Sequence, residues 1–193
     1  MKKARVGVLI SGRGSNMMAL VEAAKAADCP ADIVCVVSNR ADAAGLAFAE
    51  ANGIATQVID HKAYASREAF DRALGDYLQS QQVDIVACAG FMRIITPALI
   101  RRFPGRMLNI HPSLLPAYKG LHTHERALAD GATEHGCTVH LVTDELDDGP
   151  IVLQARVPVL PGDTADKLAA RVLVEEHRIY PQALALVAER VKN

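Results

Sequence analysis

An asparagine and a histidine that could take part in acyl chemistry stand two positions apart in the second half of the chain. Asn109 and His111 lie in residues 107–116 (MLNIHPSLLP), where an aliphatic run before Pro112 predicts a strand. Side chains two apart on a strand point to the same side of the sheet, so the amide and the imidazole should project together. The amide could stabilise a developing oxyanion while the imidazole moves a proton. Alternatively, the two form a buried polar pair that only satisfies loop carbonyls.

A strongly acidic segment could supply a partner for the histidine. Residues 143–150 (TDELDDGP) join two later predicted strands and hold four carboxylates. A carboxylate that reached His111 would keep its imidazole protonated near neutrality. Asp144, Asp147 and Asp148 are all candidates for this role on sequence alone. The alternative is a solvated loop without a catalytic role.

A glycine-containing turn near the N-terminus predicts an anion site. Residues 11–16 (SGRGSN) follow a short aliphatic strand and precede a helix for which Ser15 is the expected N-cap. Gly12 and Gly14 let the backbone approach a ligand closely, and the helix start presents N–H groups with partial positive charge. Ser15 and Asn16 add neutral donors for a phosphate. The alternative is a plain strand-to-helix turn, because GxGxxG is incomplete and GxxxxGK[ST] is absent.

Metal binding is a rival use of the histidines. His122, His124, His135 and His140 could supply zinc ligands, but their spacing matches no common zinc motif. Histidines two positions apart also cannot share one face of a helix. We therefore expect no metal. A Ser-His-Asp hydrolase is not favoured either, because the chain has no GxSxG motif.

The segments that must position these residues alternate between strand and helix over about the first hundred positions. Buried strands are predicted at residues 5–10, 33–37, 83–87, 106–110, 136–142 and 151–157. Helices are predicted from Ser15, at residues 43–52, from Ser66 and from residues 163–164, with a break or kink at Pro181. This order predicts an α/β fold, with one doubly wound, mostly parallel sheet in a single domain over residues 1–193.

Composition excludes several classes of function. The 193 residues include 21 Lys and Arg against 22 Asp and Glu, a net charge of −1 that argues against nucleic-acid partners. No apolar stretch approaches the roughly 20 residues of a membrane helix, and the run at residues 6–10 is too short for a secretory signal. The four cysteines form no CxxC pair, which favours reduced thiols. We expect a cytoplasmic protein without membrane partners.

Several motifs recur in an order that resembles a known family. They are SGxGSN at residues 11–16, AGFMRI at 89–94, NIHPSLLP at 109–116, GLHTH at 120–124, DELDxGP at 144–150 and EHxIYP at 176–181. Over nearly its whole length the chain strongly resembles the folate-dependent phosphoribosylglycinamide formyltransferases. The resemblance implies a Rossmann-like formyltransferase fold. It also implies transfer of a formyl group from 10-formyltetrahydrofolate to the amine of 5-phosphoribosylglycinamide, in purine biosynthesis.

The resemblance further implies roles for individual residues. Asn109, His111 and Asp147 match the family's catalytic residues. The residues implied to bind the ribonucleotide are Gly12, Arg13, Gly14, Ser15, Asn16 and Glu176. The residues implied to bind folate are Arg67, Met92, Arg93, Ile94, Ile95, Asn109, Thr143, Asp144 and Asp147. Residues 114–131 would form a mobile loop that closes over folate.

The same resemblance divides the domain and defines its partners. About residues 1–100 would form the ribonucleotide-binding half, and about residues 101–193 the catalytic and folate-binding half. The partners would be small molecules, and a homodimer is compatible with the sequence. The alternatives are a formyltetrahydrofolate hydrolase, which passes the formyl group to water, and a non-catalytic nucleotide-binding regulator.

Three positions depart from the family pattern. Leu173 stands where Gln or Lys is usual near the ribonucleotide, Asp148 stands where Gly is frequent, and Lys119 replaces a proline of the mobile loop. None is a catalytic residue. We therefore expect altered affinities and not a different reaction.

Overall fold

Seven strands form the single sheet of the computed structural model, which describes residues 2–192. The strands are β1 (Ala4–Ile10), β2 (Ala31–Ser38), β3 (Ala55–Val58), β4 (Ile85–Cys88), β5 (Met107–His111), β6 (Glu134–Leu141) and β7 (Ile151–Pro158). Their order across the sheet is β3-β2-β1-β4-β5-β6-β7. Strands β1 to β5 pair in parallel, and β6 and β7 extend the sheet in antiparallel fashion. The expected α/β class and mostly parallel sheet are confirmed.

Helices cover both faces of this sheet. They are α1 (Ser15–Ala24), α2 (Gly45–Ala51), α3 (Arg67–Ser80), α4 (Pro97–Ile100), α5 (Thr123–Ala129) and α6 (Ala165–Lys192), with a 3₁₀ turn at His61–Ala63. Buried residues of α1, α2 and α6 pack on one face, and those of α3 and α4 on the other. Strand β1 is apolar on both sides because Val8 and Ile10 face the first layer while Leu9 faces the second.

The start of α1 differs from the expectation that Ser15 caps it. The helix begins at Ser15 itself, and Gly14 precedes it in the left-handed conformation, with φ of 71° and no side-chain cap. Glycine adopts this conformation at no steric cost, so the turn places it before the helix and moves the serine inside. By contrast, Ser66 caps α3 as predicted, because its hydroxyl accepts a hydrogen bond of 3.0 Å from the Ala69 N–H.

Of the break or kink expected at Pro181, the break is absent, since α6 runs through this residue to Lys192. A proline inside a helix costs about 3 kcal/mol through one lost hydrogen bond and a steric clash. The turns on both sides of Pro181 bury Tyr180 and Leu184, and this burial holds the helix together. Among the short elements that the sequence analysis did not predict, β3 is a half-polar edge strand and α4 is a single turn.

The order of the strands reverses at β1 and β4, and there the carboxyl ends of β1, β4 and β5 lie side by side. Such a reversal opens a crevice in which α/β sheets bind ligands. Residues 11–16 leave the sheet after β1, residues 89–95 leave it after β4, and His111 ends β5. The fully buried Tyr180 of α6 also contacts this edge. Its hydroxyl donates a 2.7 Å hydrogen bond to the carbonyl of Cys88, the last residue of β4.

Within residues 2–192, no helix combines the length and the apolarity that a bilayer span requires.

Candidate active site

Strand β5 brings Asn109 and His111 to one cavity. Both side chains line a space of about 760 Å³ at the carboxyl edge of the sheet. The residues between and beside them, Leu108 and Ile110, point into the hydrophobic core. The alternation of side chains along the strand therefore sends the two polar groups to the same opening, as the spacing predicts.

Asp147 is the acidic residue that contacts His111. Its Oδ2 atom lies 3.5 Å from His111 Nδ1, and both side chains are only 8% exposed. Asp148 instead pairs with Lys119, while Asp144 lines the cavity without an ion-pair partner among the described residues. Of the three candidates that the sequence left, the structure thus brings Asp147 to the imidazole.

The backbone around Asp147 is unusual. Asp147 has φ of 51°, in the left-handed region that non-glycine residues seldom adopt. Two residues later, a Cβ on Gly149 would overlap the carbonyl oxygen of Leu141 at the end of β6. Close packing of Gly149 against β6 therefore fixes the path of the acidic loop, and this path places Asp147 beside His111. Strain of this kind concentrates at functional sites.

Both ring nitrogens of His111 face oxygen atoms. Its Nε2 lies 2.8 Å from the carbonyl oxygen of Tyr118, which can only accept a hydrogen bond. Its Nδ1 faces the Asp147 carboxylate, which is also an acceptor when ionised. Each ring nitrogen of His111 therefore faces an oxygen that can accept a hydrogen bond.

His140 joins the same cluster from the neighbouring strand. It lies opposite Asn109 in the β5–β6 pairing, and its Nε2 is 3.2 Å from Asn109 Nδ2 and 3.9 Å from Asp147 Oδ1. Its Nδ1 lies 3.0 Å from the carbonyl oxygen of Leu141, which assigns the proton to Nδ1. Burial lowers the pKa of His140, in keeping with a neutral ring. Neutral His140 therefore accepts a hydrogen bond from the Asn109 amide and fixes its orientation.

The other histidines do not assemble a metal site with His140. His124 and His135 contact each other, with Nδ1 and Nε2 3.1 Å apart, and burial lowers the pKa of His135 to about 4. Across residues 2–192, no group of three or more His, Cys, Asp or Glu side chains is arranged to hold a metal ion.

Residues 118–120 pack directly on the catalytic candidates. Besides the Tyr118 carbonyl on His111, the Gly120 N–H donates a 2.8 Å hydrogen bond to Asp147 Oδ2. Between them, Lys119 pairs with Asp148 and its carbonyl accepts from Arg126. Part of the predicted mobile loop is thus tied to the acidic loop across the cavity.

The glycine turn reaches the cavity through Asn16 alone. Asn16 lines the cavity and donates a 3.0 Å hydrogen bond from Nδ2 to Glu176 Oε1, while Gly12, Arg13, Gly14 and Ser15 lie outside its lining. Burial raises the pKa of the Glu176 carboxyl, and the hydrogen bond from Asn16 offsets part of that rise. The turn and the C-terminal helix therefore meet at the cavity in one buried polar contact.

Most of the residues implied to bind folate line the opposite side of the cavity. Met92, Arg93, Ile94 and Ile95 follow β4 there, and Thr143 and Asp144 face them from the acidic loop. Met92 is 68% exposed and Ile94 55%, so this side presents apolar surface to the solvent. Arg67 does not line the cavity; it is exposed at the start of α3.

Known proteins resemble this chain in both sequence and fold. The formyl transferase family matches residues 4–184. The chain belongs to the formyl transferase family.

Relatives of this formyl transferase include two enzymes of different length. This chain is 51% identical over 182 residues to the phosphoribosylglycinamide formyltransferase of Escherichia coli (strain K12). The match covers 94% of this chain and 86% of that one. The chain is 52% identical over 187 residues to the trifunctional purine biosynthetic protein adenosine-3 of Bos taurus, of which this chain spans only 18%. The crystal structure of phosphoribosylglycinamide formyltransferase from Brucella melitensis superposes with a TM-score of 0.93 at 56% identity, covering 97% of this chain and 96% of that one.

Within this formyl transferase, sequence reasoning missed the role of His140. It considered His140 only as a metal ligand, whereas the structure places it between Asn109 and Asp147. The signal could have been found by pairing the predicted strands 106–110 and 136–142 antiparallel. Sequence alone did not reveal that pairing, because the order of strands in a sheet depends on contacts between distant segments.

Proposed function

We propose that this formyl transferase is a phosphoribosylglycinamide formyltransferase. It transfers the formyl group of 10-formyltetrahydrofolate to the amine of 5-phosphoribosylglycinamide and releases formylglycinamide ribonucleotide and tetrahydrofolate. The observation that carries this proposal is the contact of His111 with Asp147, beside Asn109, in a cavity that also reaches Asn16 and Glu176. The relatives with this name agree with it.

Chemistry begins when the amine attacks the formyl carbon and the carbonyl oxygen becomes an oxyanion. One N–H of the Asn109 amide faces His140, which leaves the other to donate to this oxygen. The His111 imidazolium adds a positive charge beside it. A donor aligned on a developing oxyanion is worth about 3 kcal/mol in the transition state.

The intermediate then collapses towards products. The bond between the formyl carbon and the folate nitrogen breaks, and the proton lost by the attacking amine ends on that nitrogen. Asp147 is the group that relays this proton, because its carboxylate lines the cavity and is held by Gly120 and His111. For His111 Nε2 to face the oxyanion, the Tyr118 carbonyl must first release it. Loop 114–131 therefore moves during the reaction cycle.

The ribonucleotide binds along the first half of the chain. The free N–H groups at the start of α1, which has no side-chain cap, receive the phosphate together with Gly12, Arg13, Gly14 and Ser15. Glu176 accepts hydrogen bonds from the ribose hydroxyls while Asn16 steadies its carboxylate. Residues 1–100 are accordingly the main ribonucleotide-binding half, with Glu176 contributed by the second half.

Folate binds on the side formed by residues 92–95 and the acidic loop. The exposed Met92 and Ile94 cover the pterin, and main-chain groups near Thr143 and Asp144 bind its polar edge. Arg67 and Arg93 both lie near the buried Asp71 and give this end a positive character suited to the glutamate tail.

The test is turnover of the purified chain with both substrates, followed by the absorbance of the deformylated folate. Turnover is expected only with both present, and His111→Ala should lower kcat about 1,000-fold while the ribonucleotide dissociation constant stays unchanged. Deformylation without ribonucleotide would instead identify a hydrolase. Ribonucleotide binding without turnover at high enzyme concentration would identify a regulator.

The proposed function also bears on where the protein works. A cytoplasmic location suits purine biosynthesis and the four cysteines, which are all free thiols in the structure. Sedimentation of the purified chain with and without substrates would decide between a monomer and a homodimer.

A further inference from the structure

The segment that follows β4 has little main-chain support. Its last backbone hydrogen bond to β1 runs from Ala89 N–H to the carbonyl of Leu9, at 2.9 Å. Between residues 91 and 95, within the described part of the chain, no hydrogen bond to another main-chain group holds the backbone. Yet this segment forms one side of the cavity. Something other than strand pairing must therefore fix its path.

A side chain of the glycine turn supplies that support. The Met92 N–H donates a 2.8 Å hydrogen bond to Ser11 Oγ, across 81 positions of sequence. Ser11 Oγ in turn donates at 2.6 Å to Oδ1 of Asn39, which follows β2. The Asn39 Nδ2 lies 3.2 Å from His61 Nδ1. Ser11, Asn39 and His61, from separate strand ends and turns, thus form a hydrogen-bond chain that ends on the Met92 backbone.

The Met92 N–H determines which group donates and which accepts in every bond of this hydrogen-bond chain. A backbone N–H can only donate, so Ser11 Oγ accepts from Met92 and turns its own hydrogen to Asn39. Asn39 must then present its oxygen to Ser11 and its NH₂ group to His61. Each bond fixes the next, and no member is free to reverse while Met92 stays bound. Such a chain defines one orientation of residues 90–95.

Both polar side chains are buried and neither touches the cavity. Ser11 is 6% exposed and Asn39 is 3% exposed, and neither lines the 760 Å³ space. They cannot contact a ligand there and must act through Met92. We propose that Ser11 and Asn39 are positioning residues for folate: they hold the Met92 main chain, and with it the pterin side of the cavity, in its binding position. This inference rests on the proposed function.

The experiment compares Ser11→Ala and Asn39→Ala with Ser38→Ala in the full chain. Ser38 is the matched control because it is fully buried and adjacent to Asn39, but its hydroxyl bonds only to the Arg40 main chain. Loss of one hydrogen bond to a positioned group should raise the KM for 10-formyltetrahydrofolate about 3- to 10-fold. We expect kcat and the KM for the ribonucleotide to stay within about twofold of wild type. Ser38→Ala should match wild type in both KM values.

The double variant Ser11→Ala/Asn39→Ala tests whether the two residues act in series. Its folate KM should equal that of the more affected single variant, because either change already breaks the chain. A folate KM unchanged in both single variants, or ribonucleotide and folate KM values that rise together, would overturn the inference. Wild-type turnover decides the proposed function separately, since the inference depends only on ratios to wild type.

Discussion

The turn after β1 and the end of β5 lie at the same edge of the sheet but offer different chemistry. The turn offers main-chain N–H groups, neutral side chains and the charged Arg13, and it contacts the buried Glu176 through Asn16. The end of β5 gathers imidazoles and a carboxylate into contact. A parallel strand followed by a helix makes a binding site from backbone alone. The proposed catalytic cluster instead needs β6, whose antiparallel pairing brings His140 opposite Asn109.

In the proposed function, one sheet provides a binding site and a catalytic site at separate strand ends. Groups that only bind a phosphate need not change protonation, and the glycine turn contains none that must. The proposed mechanism uses a charged His111 beside a neutral His140, and the two rings have different partners in the structure. His111 meets two acceptors, whereas His140 meets one acceptor and one donor. Substitutions on the two sides should therefore have different signatures.

The largest effect is expected on the catalytic side, from Asn109→Ala. Loss of one oxyanion donor should lower kcat about 100- to 1,000-fold, with little change in either KM. Steady-state kinetics with both substrates measures this. Asn109→Asp keeps the shape but removes the donor, so it should be impaired to a similar degree. A loss of less than about tenfold in both variants would contradict the assigned role.

His140→Ala should lower kcat about tenfold, because the Asn109 amide loses the acceptor that fixes its orientation. His140→Gln offers a carbonyl oxygen in the same region and should recover part of the rate. A merely structural role for His140 would appear as equal losses in both variants, together with lower thermal stability. Parallel melting curves separate the two cases.

In the proposed ribonucleotide site, Glu176→Gln should lower the affinity for the ribonucleotide and raise the stability of the fold at higher pH. Burial raises the pKa of this carboxyl, so the folded protein binds its proton more tightly than the unfolded chain does. Ionisation at higher pH therefore destabilises the fold, and the neutral glutamine avoids that cost. Denaturant midpoints should show the variant gaining on wild type as the pH rises above about 4, the ordinary pKa of a glutamate. Ribonucleotide affinity should fall, and a stability difference independent of pH would contradict the explanation.

The smallest effect is expected from Lys119→Ala, at the contact between the two loops. The pair with Asp148 is 40% and 52% exposed, and exposed ion pairs contribute at most about 1 kcal/mol. The folate KM should rise by no more than about threefold, and less at high salt. Asp148→Ala should match it, and the double variant should add nothing further. Independent, additive effects would show that the pair does not couple the loops.

Much of the fold follows from the chain because its strands and caps are encoded locally. The aliphatic runs of β1, β2 and β5 and the serine cap of α3 appear directly in the sequence. The edge strand β3 does not, because it has no buried run to mark it. Pro181 misleads for the opposite reason, since tertiary packing of α6 outweighs a local preference.

The candidate site could be predicted only where strand periodicity was enough. Asn109 and His111 follow from a spacing of two, but the choice of Asp147 among three acids required either a family resemblance or coordinates. The left-handed backbone at Asp147 and the close approach of Gly149 to Leu141 decide that choice. Likewise, Ser11 meets Met92 across 81 positions. Contacts of this kind arise from the assembled sheet and leave no periodic signal.

Two buried hydrogen bonds fix the rotational position of the C-terminal helix α6. Glu176 and Tyr180 stand four positions apart on one helical stripe; the first holds Asn16, and the second bonds the last carbonyl of β4. A rotation of α6 by even a fraction of a turn would disengage both anchors together. The outward-facing Val174, 67% exposed, is where a label or a fusion could be attached without disturbing either grip.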